Sequence, residues 1–293
     1  MKHTHYEIPT DGKVMACLDV SDSNPAVIDY AAWASKRLST AMICLHVLNH
    51  KTTRPTETDY SGSIGVDAGS HLLDELVELE ARQNRIAMQQ GSALLKLACE
   101  RASAAGGLDP RALQRHGPLF QALVELEDQV RLFVLGKRGE SADVNTGHLG
   151  ANLERVVRSV HRPTLVTPRE YRDIQRFGIA FDGSPTTRKC VNMVAMSPLL
   201  EGLDCHLIVA ADPSRMPPGL DWAMDTLREA GFEPTLQRES DHAEQVIATL
   251  VERLELDLLV MGAYGHSRIR HLIVGSTTTA VLRHCNIPIP LLR

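Results

Sequence analysis

The sequence predicts an α/β protein made of two copies of one unit, each a parallel sheet with helices on both faces. Three observations predict it. Short apolar runs alternate with longer amphipathic stretches along the chain, the pattern of buried parallel strands joined by helical crossovers. The second half repeats the first in register: Asp19 lies 28 residues before Val47 and Asp182 lies 27 before Val209, while Gly150 precedes Pro163, and Gly275 precedes Pro288, by the same 13. Each half also ends in a glycine-spaced stretch that leads into a helix, and an internal repeat of this kind decides the architecture.

Length and composition frame the reading. A chain of 293 residues, 43% of them apolar, accommodates two ordinary domains with a core in each, and the repeat divides it at 1–170 and 171–293. The balance of 31 basic against 36 acidic residues leaves a net charge of -5, which gives no overall pull toward nucleic acid or anionic membrane. Cys17, Cys44, Cys99, Cys190, Cys205 and Cys285 are scattered, with no C-x-x-C and no zinc-spaced histidine, mostly in apolar runs; buried free thiols in a reducing cytosol are expected. The N-terminal MKHTHYEIPTDGK is polar and no run approaches 18 apolar residues, so neither signal peptide nor membrane helix is expected and the protein should be cytoplasmic.

The first strand is VMACLDV, 14–20, followed by SDSNP, where Ser23 or Asn24 caps a helix with Pro25 at its first position. After that helix comes the strand AMICLHVL, 41–48, and a polar loop over 49–70. Residues 71–104 are helical in pattern, with a stripe of Leu72, Leu73, Leu76, Leu79, Ile86, Leu94, Leu95 and Ala98 expected to pack in the core or between domains. One helix of that length would run about 50 Å, so a break near Gly91 or a projecting arm is expected. A strand at 111–115, a helix at 118–129, the strand RLFVL at 131–135, a glycine-rich loop, the helix ANLERVVRSV and the strand PTLVTP complete the half, and REYRDIQR reads as a charged linker.

The second half runs FGIAFDGSP, a helix from Thr186, the strand CHLIVAA, a helix near 221–230, PTLQRE, the helix DHAEQVIATLVERL, the strand LLVM, the glycine stretch, a helix to Cys285, and IPIPLLR. That glycine stretch has the spacing G-x(2)-G-x(9)-G-S. Gly262 and Gly265 permit a tight turn and close approach of a ligand, while Gly275, Ser276 and Thr277 offer N–H groups and hydroxyls at a helix start that favours an anion. If the first and fourth strands of each half are neighbours, Asp182 and Gly262 face one another across one crevice. Asp182 and Ser276 also serve equally well as ordinary helix caps, and a cap and a ligand contact are not exclusive. Pro288 and Pro290 cannot donate to a ladder, so the last strand should be the edge of its sheet, covered by PTLVTP in an intramolecular pseudo-twofold pair.

These residues resemble the universal stress protein family, as two tandem copies covering nearly the whole chain. The resemblance rests on an aspartate ending the first strand (Asp19, Asp182), the pairs His46-Val47 and Ile208-Val209 in the second, and the glycine motif, complete in the C-terminal half. It implies for each copy a Rossmann-like five-stranded parallel sheet of order 3-2-1-4-5, with ATP held in some members and not in others. By position, Asp182 and the Val209 backbone would hold the adenosine end, Gly262 and Gly265 would line ribose and phosphates, and Gly275, Ser276 and Thr277 would bind the phosphates, with or without magnesium. The N-terminal copy departs from the pattern: Gly136, Gly139 and Gly150 have one extra residue in the last gap, and Ala151 stands in place of Ser276. Its loop carries Glu140 and Asp143 where the C-terminal loop carries His266, Arg268, Arg270 and His271. The first copy is therefore expected to be the poorer phosphate binder, with Lys137 and Arg138 compensating in part.

No nucleophile elbow, H-E-x-x-H or nucleotidyl-transferase HxGH occurs, no catalytic or metal-ligating residue is assigned, and enzyme status stays open. Three functions remain: an adenine-nucleotide-binding regulatory protein, a slow ATP hydrolase with Asp182 placing magnesium or water, and a scaffold that binds no nucleotide. A homodimer is compatible with each.

Overall fold

A computed structural model describes residues 11–19, 21, 24–48, 66–137, 151–212, 214, 216–263 and 276–293. The N-terminal half runs β1 (Lys13–Leu18), α1 (Asn24–Arg37), β2 (Ala41–Leu48), α2 (Val66–Ala104), β3 (Leu108–His116), α3 (Leu119–Leu126), β4 (Val130–Gly136), α4 (Ala151–Ser159) and β5 (Thr164–Thr167). The C-terminal half repeats it as β6 (Arg176–Ala180), α5 (Pro185–Met196), β7 (Asp204–Ala210), α6 (Leu220–Glu229), β8 (Thr235–Glu239), α7 (Ala243–Arg253), β9 (Leu258–Gly262), α8 (Ser276–His284) and β10 (Ile289–Leu292).

The ten strands of the described residues join one sheet of order β3-β2-β1-β4-β5-β10-β9-β6-β7-β8. Each half is thus a parallel five in the order 3-2-1-4-5, and the two meet where β10 runs antiparallel to β5, with Pro290 opposite Leu165. The proline strand is the last of its own five and is covered by the other half, as an apolar strand poor in donors requires.

Side-chain alternation along the strands supplies two faces. On one, a single core runs across both halves, from Ala16 and Leu132 through Leu165 to Phe177, Leu207 and Leu292. On the other, two separate cores form, one around Met15, Leu45 and Phe133, the other around Ile208, Leu259 and Val281. Arg37 of α1 ties the halves further, its Nε donating to the Leu199 carbonyl at 2.9 Å. The connection 169–176 is more than a charged linker. Its Tyr171 ring lies 4.8 Å from Tyr30, its Ile174 is buried, and the Arg172 N–H donates to the Tyr30 hydroxyl at 3.2 Å.

Of the two alternatives expected for the long helix, a break or a projecting arm, it takes the second, and it departs from expectation in its start and in its stripe. It begins at Val66 and continues through Gly91 without a break, about 58 Å at 1.5 Å per residue. Gly91 is buried because α2 crosses β2 and β3 there: an added Cβ would stand 2.7 Å from the His46 ring and 2.4 Å from Gln114 Nε2. The glycine serves close helix–sheet approach rather than a kink. The stripe also divides. Leu95 and Ala98 are in the core, but Leu76, Leu79 and Ile86 are roughly half exposed, so α2 over 76–86 is a projecting arm and not core; the side chains of Leu72 and Leu73 lie outside the described residues.

Candidate functional site

The sheet order reverses between β6 and β9, which pair directly, Ile179 with Val260. At such a switch point the strands' carboxyl ends open a crevice. A cavity of about 360 Å3 lies there, within the range of small-molecule sites. Asp182 stands on one side of it, Gly262 and Ser276–Thr278 on the other, and Ile208, Ala210 and Ile247 give it an apolar part.

The Asp182 side is built by a tight turn. Gly183 takes φ +76° with the Pro218 carbonyl only 2.5 Å from where a Cβ would sit, so only glycine fits. Asp182 Oδ1 accepts from the Ser184 N–H at 2.9 Å and the Thr187 hydroxyl at 2.8 Å, and Ser184 caps α5 by accepting from the Thr187 N–H. Arg188 braces the same turn, donating to the Gly183 carbonyl at 3.1 Å and the Pro218 carbonyl at 2.7 Å with its guanidinium over the Trp222 ring. The carboxylate is thus held at a fixed place on the rim.

On the facing side, β9 ends at Gly262, whose carbonyl accepts from the Thr278 hydroxyl at 3.2 Å. That bond fixes the start of α8 against the strand. Ser276 is exposed, Thr277 half-buried and Thr278 buried, and the first-turn N–H groups of α8 have no intrahelical acceptor. A Cβ on Gly262 would lie 2.8 Å from Thr186 Cγ2, so part of the reason for glycine here is packing against α5.

Of the residues singled out in the sequence, Asp182, Gly262, Ser276 and Thr277 come together around this cavity. The Val209 side chain does not line it. It is buried in the core shared by both halves, while its neighbours Ile208 and Ala210 reach the cavity. Alternation along β7 explains this, since Val209 points to the opposite face from Ile208 and Ala210. Ala180 pairs with Ile208 and Cys17 with Leu45, so Leu45 matches Ile208 and His46 matches Val209. The pairs His46-Val47 and Ile208-Val209 are therefore one residue out of step, which is the difference between the 28- and 27-residue spacings. Gly265, Gly275, Tyr264, His266, Arg268, Arg270 and His271 lie outside the described residues, as do Arg138, Gly139, Glu140, Asp143 and Gly150. Thr186, Thr187, Thr278 and Ile247 were not singled out, although Ser184 before Pro185, a serine cap with proline at the first helical position, points to Thr187.

The N-terminal counterpart is built alike but fastened differently. Asp19 Oδ1 accepts from the Ser21 N–H at 3.0 Å, as Asp182 does from Ser184. Asn24, at the Thr187 position, instead bonds the Asp19 backbone, its Oδ1 accepting from the Asp19 N–H and its amide donating to the Asp19 carbonyl. Lys137, expected to help a phosphate in its own half, donates to the Cys285 carbonyl past the end of α8, a favoured place for a cation. His46 is buried with Nδ1 3.0 Å from the Leu18 carbonyl.

Five cysteines are buried, Cys99 is partly exposed, and all six are free thiols; burial pushes Cys205 up to about 12 and Cys190 likewise, with Asp182 adding to the effect. Among the described residues no cluster of three or more His, Cys, Asp or Glu could hold a metal ion, and no helix is long and apolar enough to cross a membrane.

The sequence model of the universal stress protein family matches residues 12–168 and again 173–293. The chain is 36% identical over 280 residues to universal stress protein Slr1230 of Synechocystis, covering 94% of this chain and 98% of that protein. It is 24% identical over 300 residues to universal stress protein Rv1996 of Mycobacterium tuberculosis, covering 94% and 93%. A solved universal stress protein from Archaeoglobus fulgidus shares the fold with a TM-score of 0.69 at 17% identity, over 98% of each chain. The chain belongs to the universal stress protein family, with two units of that family in tandem.

Proposed function

We propose that this tandem universal stress protein is a cytoplasmic, ATP-binding regulatory protein that holds its nucleotide in the C-terminal domain, residues 171–293. The observation that carries this is one cavity at the switch point with an apolar part, a fixed carboxylate and a hydroxyl-rich helix start on its walls. Those three chemistries match base, ribose and phosphate. The flat base fits among Ile208, Ala210 and Ile247, with Val209 contributing through its backbone. Asp182 accepts from ribose or base. Gly262 and Gly265 line the ribose and phosphates, and Gly275, Ser276 and Thr277 meet the phosphates with N–H and hydroxyl donors, with or without magnesium. The N-terminal domain, residues 1–170, is the poorer phosphate site, because Ala151 has no hydroxyl and the Lys137 ammonium is directed to the other domain.

A regulatory role is favoured over hydrolysis because Asp182 is the one carboxylate among the described lining residues and already fastens the Ser184–Thr187 turn. Bound nucleotide would then stabilise one conformation of the domain by mass action. Mass spectrometry of small molecules released from the purified protein, followed by calorimetric titration with ATP, tests this. Ser276→Ala should weaken ATP about ten- to a hundredfold, since a hydrogen bond to a charged group contributes about 1.5 to 3 kcal/mol. A chain that retains no nucleotide and does not bind added ATP would leave the scaffold reading, and multiple-turnover phosphate release abolished by Asp182→Ala would establish the hydrolase.

A further inference from the structure

The projecting arm of α2 carries a feature that neither fold nor cavity uses. Counting along it, positions 76, 79, 83, 86, 90, 93 and 97 are spaced three and four residues apart, the heptad interval of a coiled-coil seam. They are Leu76, Leu79, Ile86, Ala93 and Leu97, interrupted by Gln83 and Gln90, and all are exposed. The core-facing residues lie elsewhere on the helix: at 100° per residue, Leu97 is about 200° round from Leu95. The seam therefore continues from the free arm over the part of α2 that packs on the sheet. Six of the large hydrophobic side chains that stand exposed, Leu76, Val77, Leu79, Ile86, Met88 and Leu97, belong to this one helix.

We propose that the arm is a homodimer interface, in which α2 of one chain packs antiparallel on α2 of a second copy along this seam. Charge selects both occupant and direction. Beside the seam stand Glu75, Glu80, Arg82 and Lys96. Two parallel arms set Glu75 of one copy against Glu80 of the other, twice. Two antiparallel arms with the twofold axis between positions 84 and 85 set Glu75 beside Lys96 of the second copy, twice, and Gln83 opposite Ile86. The seam is thus self-complementary in the way a twofold contact demands, and the glutamines fix register at some cost in strength. Pairing through the last strand of each half is already used inside one chain, where β5 and β10 pair with each other.

Sedimentation equilibrium of the full chain tests the proposal. The expected mass at micromolar concentration is twice the 32.2 kDa of one chain. Leu79→Glu with Ile86→Glu should raise the dimer dissociation constant more than tenfold while leaving the circular dichroism spectrum unchanged, because both sites face solvent. Glu75→Lys and Lys96→Glu should each weaken the dimer, and the two together should restore it, which only antiparallel arms predict. A chain of single mass across this range, a dimer indifferent to Leu79→Glu with Ile86→Glu, a charge pair that fails to restore, or a monomer that binds anionic vesicles through the arm would each overturn it.

Discussion

Replacing Gly262 by alanine separates packing from ligand approach at the centre of the site. The added methyl would stand 2.8 Å from Thr186 Cγ2 and 3.3 Å from Thr186 Cβ, with the Thr186 carbonyl carbon at 3.7 Å. Carbon atoms pack at about 3.5 to 4.0 Å, so either β9 or the start of α5 must move. Overpacking of this size costs about 1 to 3 kcal/mol. Urea unfolding followed by fluorescence reads this directly. A Trp33→Phe background leaves Trp222, on α6, to report on the C-terminal half. Thr186→Ser removes the Cγ2 that the methyl meets, so the double variant should recover most of the loss, with a coupling energy of at least about 0.5 kcal/mol. Unfolding of Gly262→Ala at the wild-type midpoint, or strict additivity with Thr186→Ser, would refute the steric argument. If stability returns in the double variant while ATP affinity does not, the glycine also serves the approach of the ligand.

Two further outcomes follow from buried groups. Gly91→Ala should destabilise the N-terminal half by about 1 to 3 kcal/mol, although alanine is favoured over glycine inside a helix by about 1 kcal/mol, because its methyl meets the buried His46 ring; chemical denaturation followed by Trp33 checks it, and a stabilised variant would contradict the close approach. Burial pushes the His206 pKa below its ordinary 6.5, against Asp204 and with Arg176 adding. The unfolded chain then binds the proton more readily, so stability is full above pH 6.5 and falls as the pH drops below it. His206→Gln should flatten that acid limb when unfolding midpoints at about pH 5.5 and about pH 7.5 are compared, and an unchanged difference would refute it.

Much of the fold was readable because buried strands leave a strong local signature. Apolar runs such as LLVM and AMICLHVL are too short for helices, and the repeated spacing from Asp19 and Asp182 sets two copies side by side without any knowledge of packing. The proline strand and PTLVTP were readable as partners because a donor-poor apolar strand needs cover. Periodicity was less informative in α2: the same apolar stripe reads as core whether the helix meets a sheet, as at Leu95, or leaves it, as at Leu76. Gly91 could not be told from a kink because the side chains that crowd it, His46 and Gln114, come from strands far away in sequence. At the site, the residues that end strands or start helices, Asp182, Gly262 and Ser276, were visible by position. Thr186, Thr278 and Ile247 were not, since which face of a helix meets the cavity is settled only by the helix's rotation on the sheet. Strand register likewise corrected the one-residue mismatch that had set Val47 against Val209.

The claim on which the rest depends is a single adenine-nucleotide site per chain, in the C-terminal half. Calorimetric titration of ATP into wild type, Asp182→Ala and Asp19→Ala tests it most directly. One site per chain that is weakened in Asp182→Ala and intact in Asp19→Ala is the predicted result, and two equivalent sites, or binding that is lost in Asp19→Ala and kept in Asp182→Ala, would contradict it.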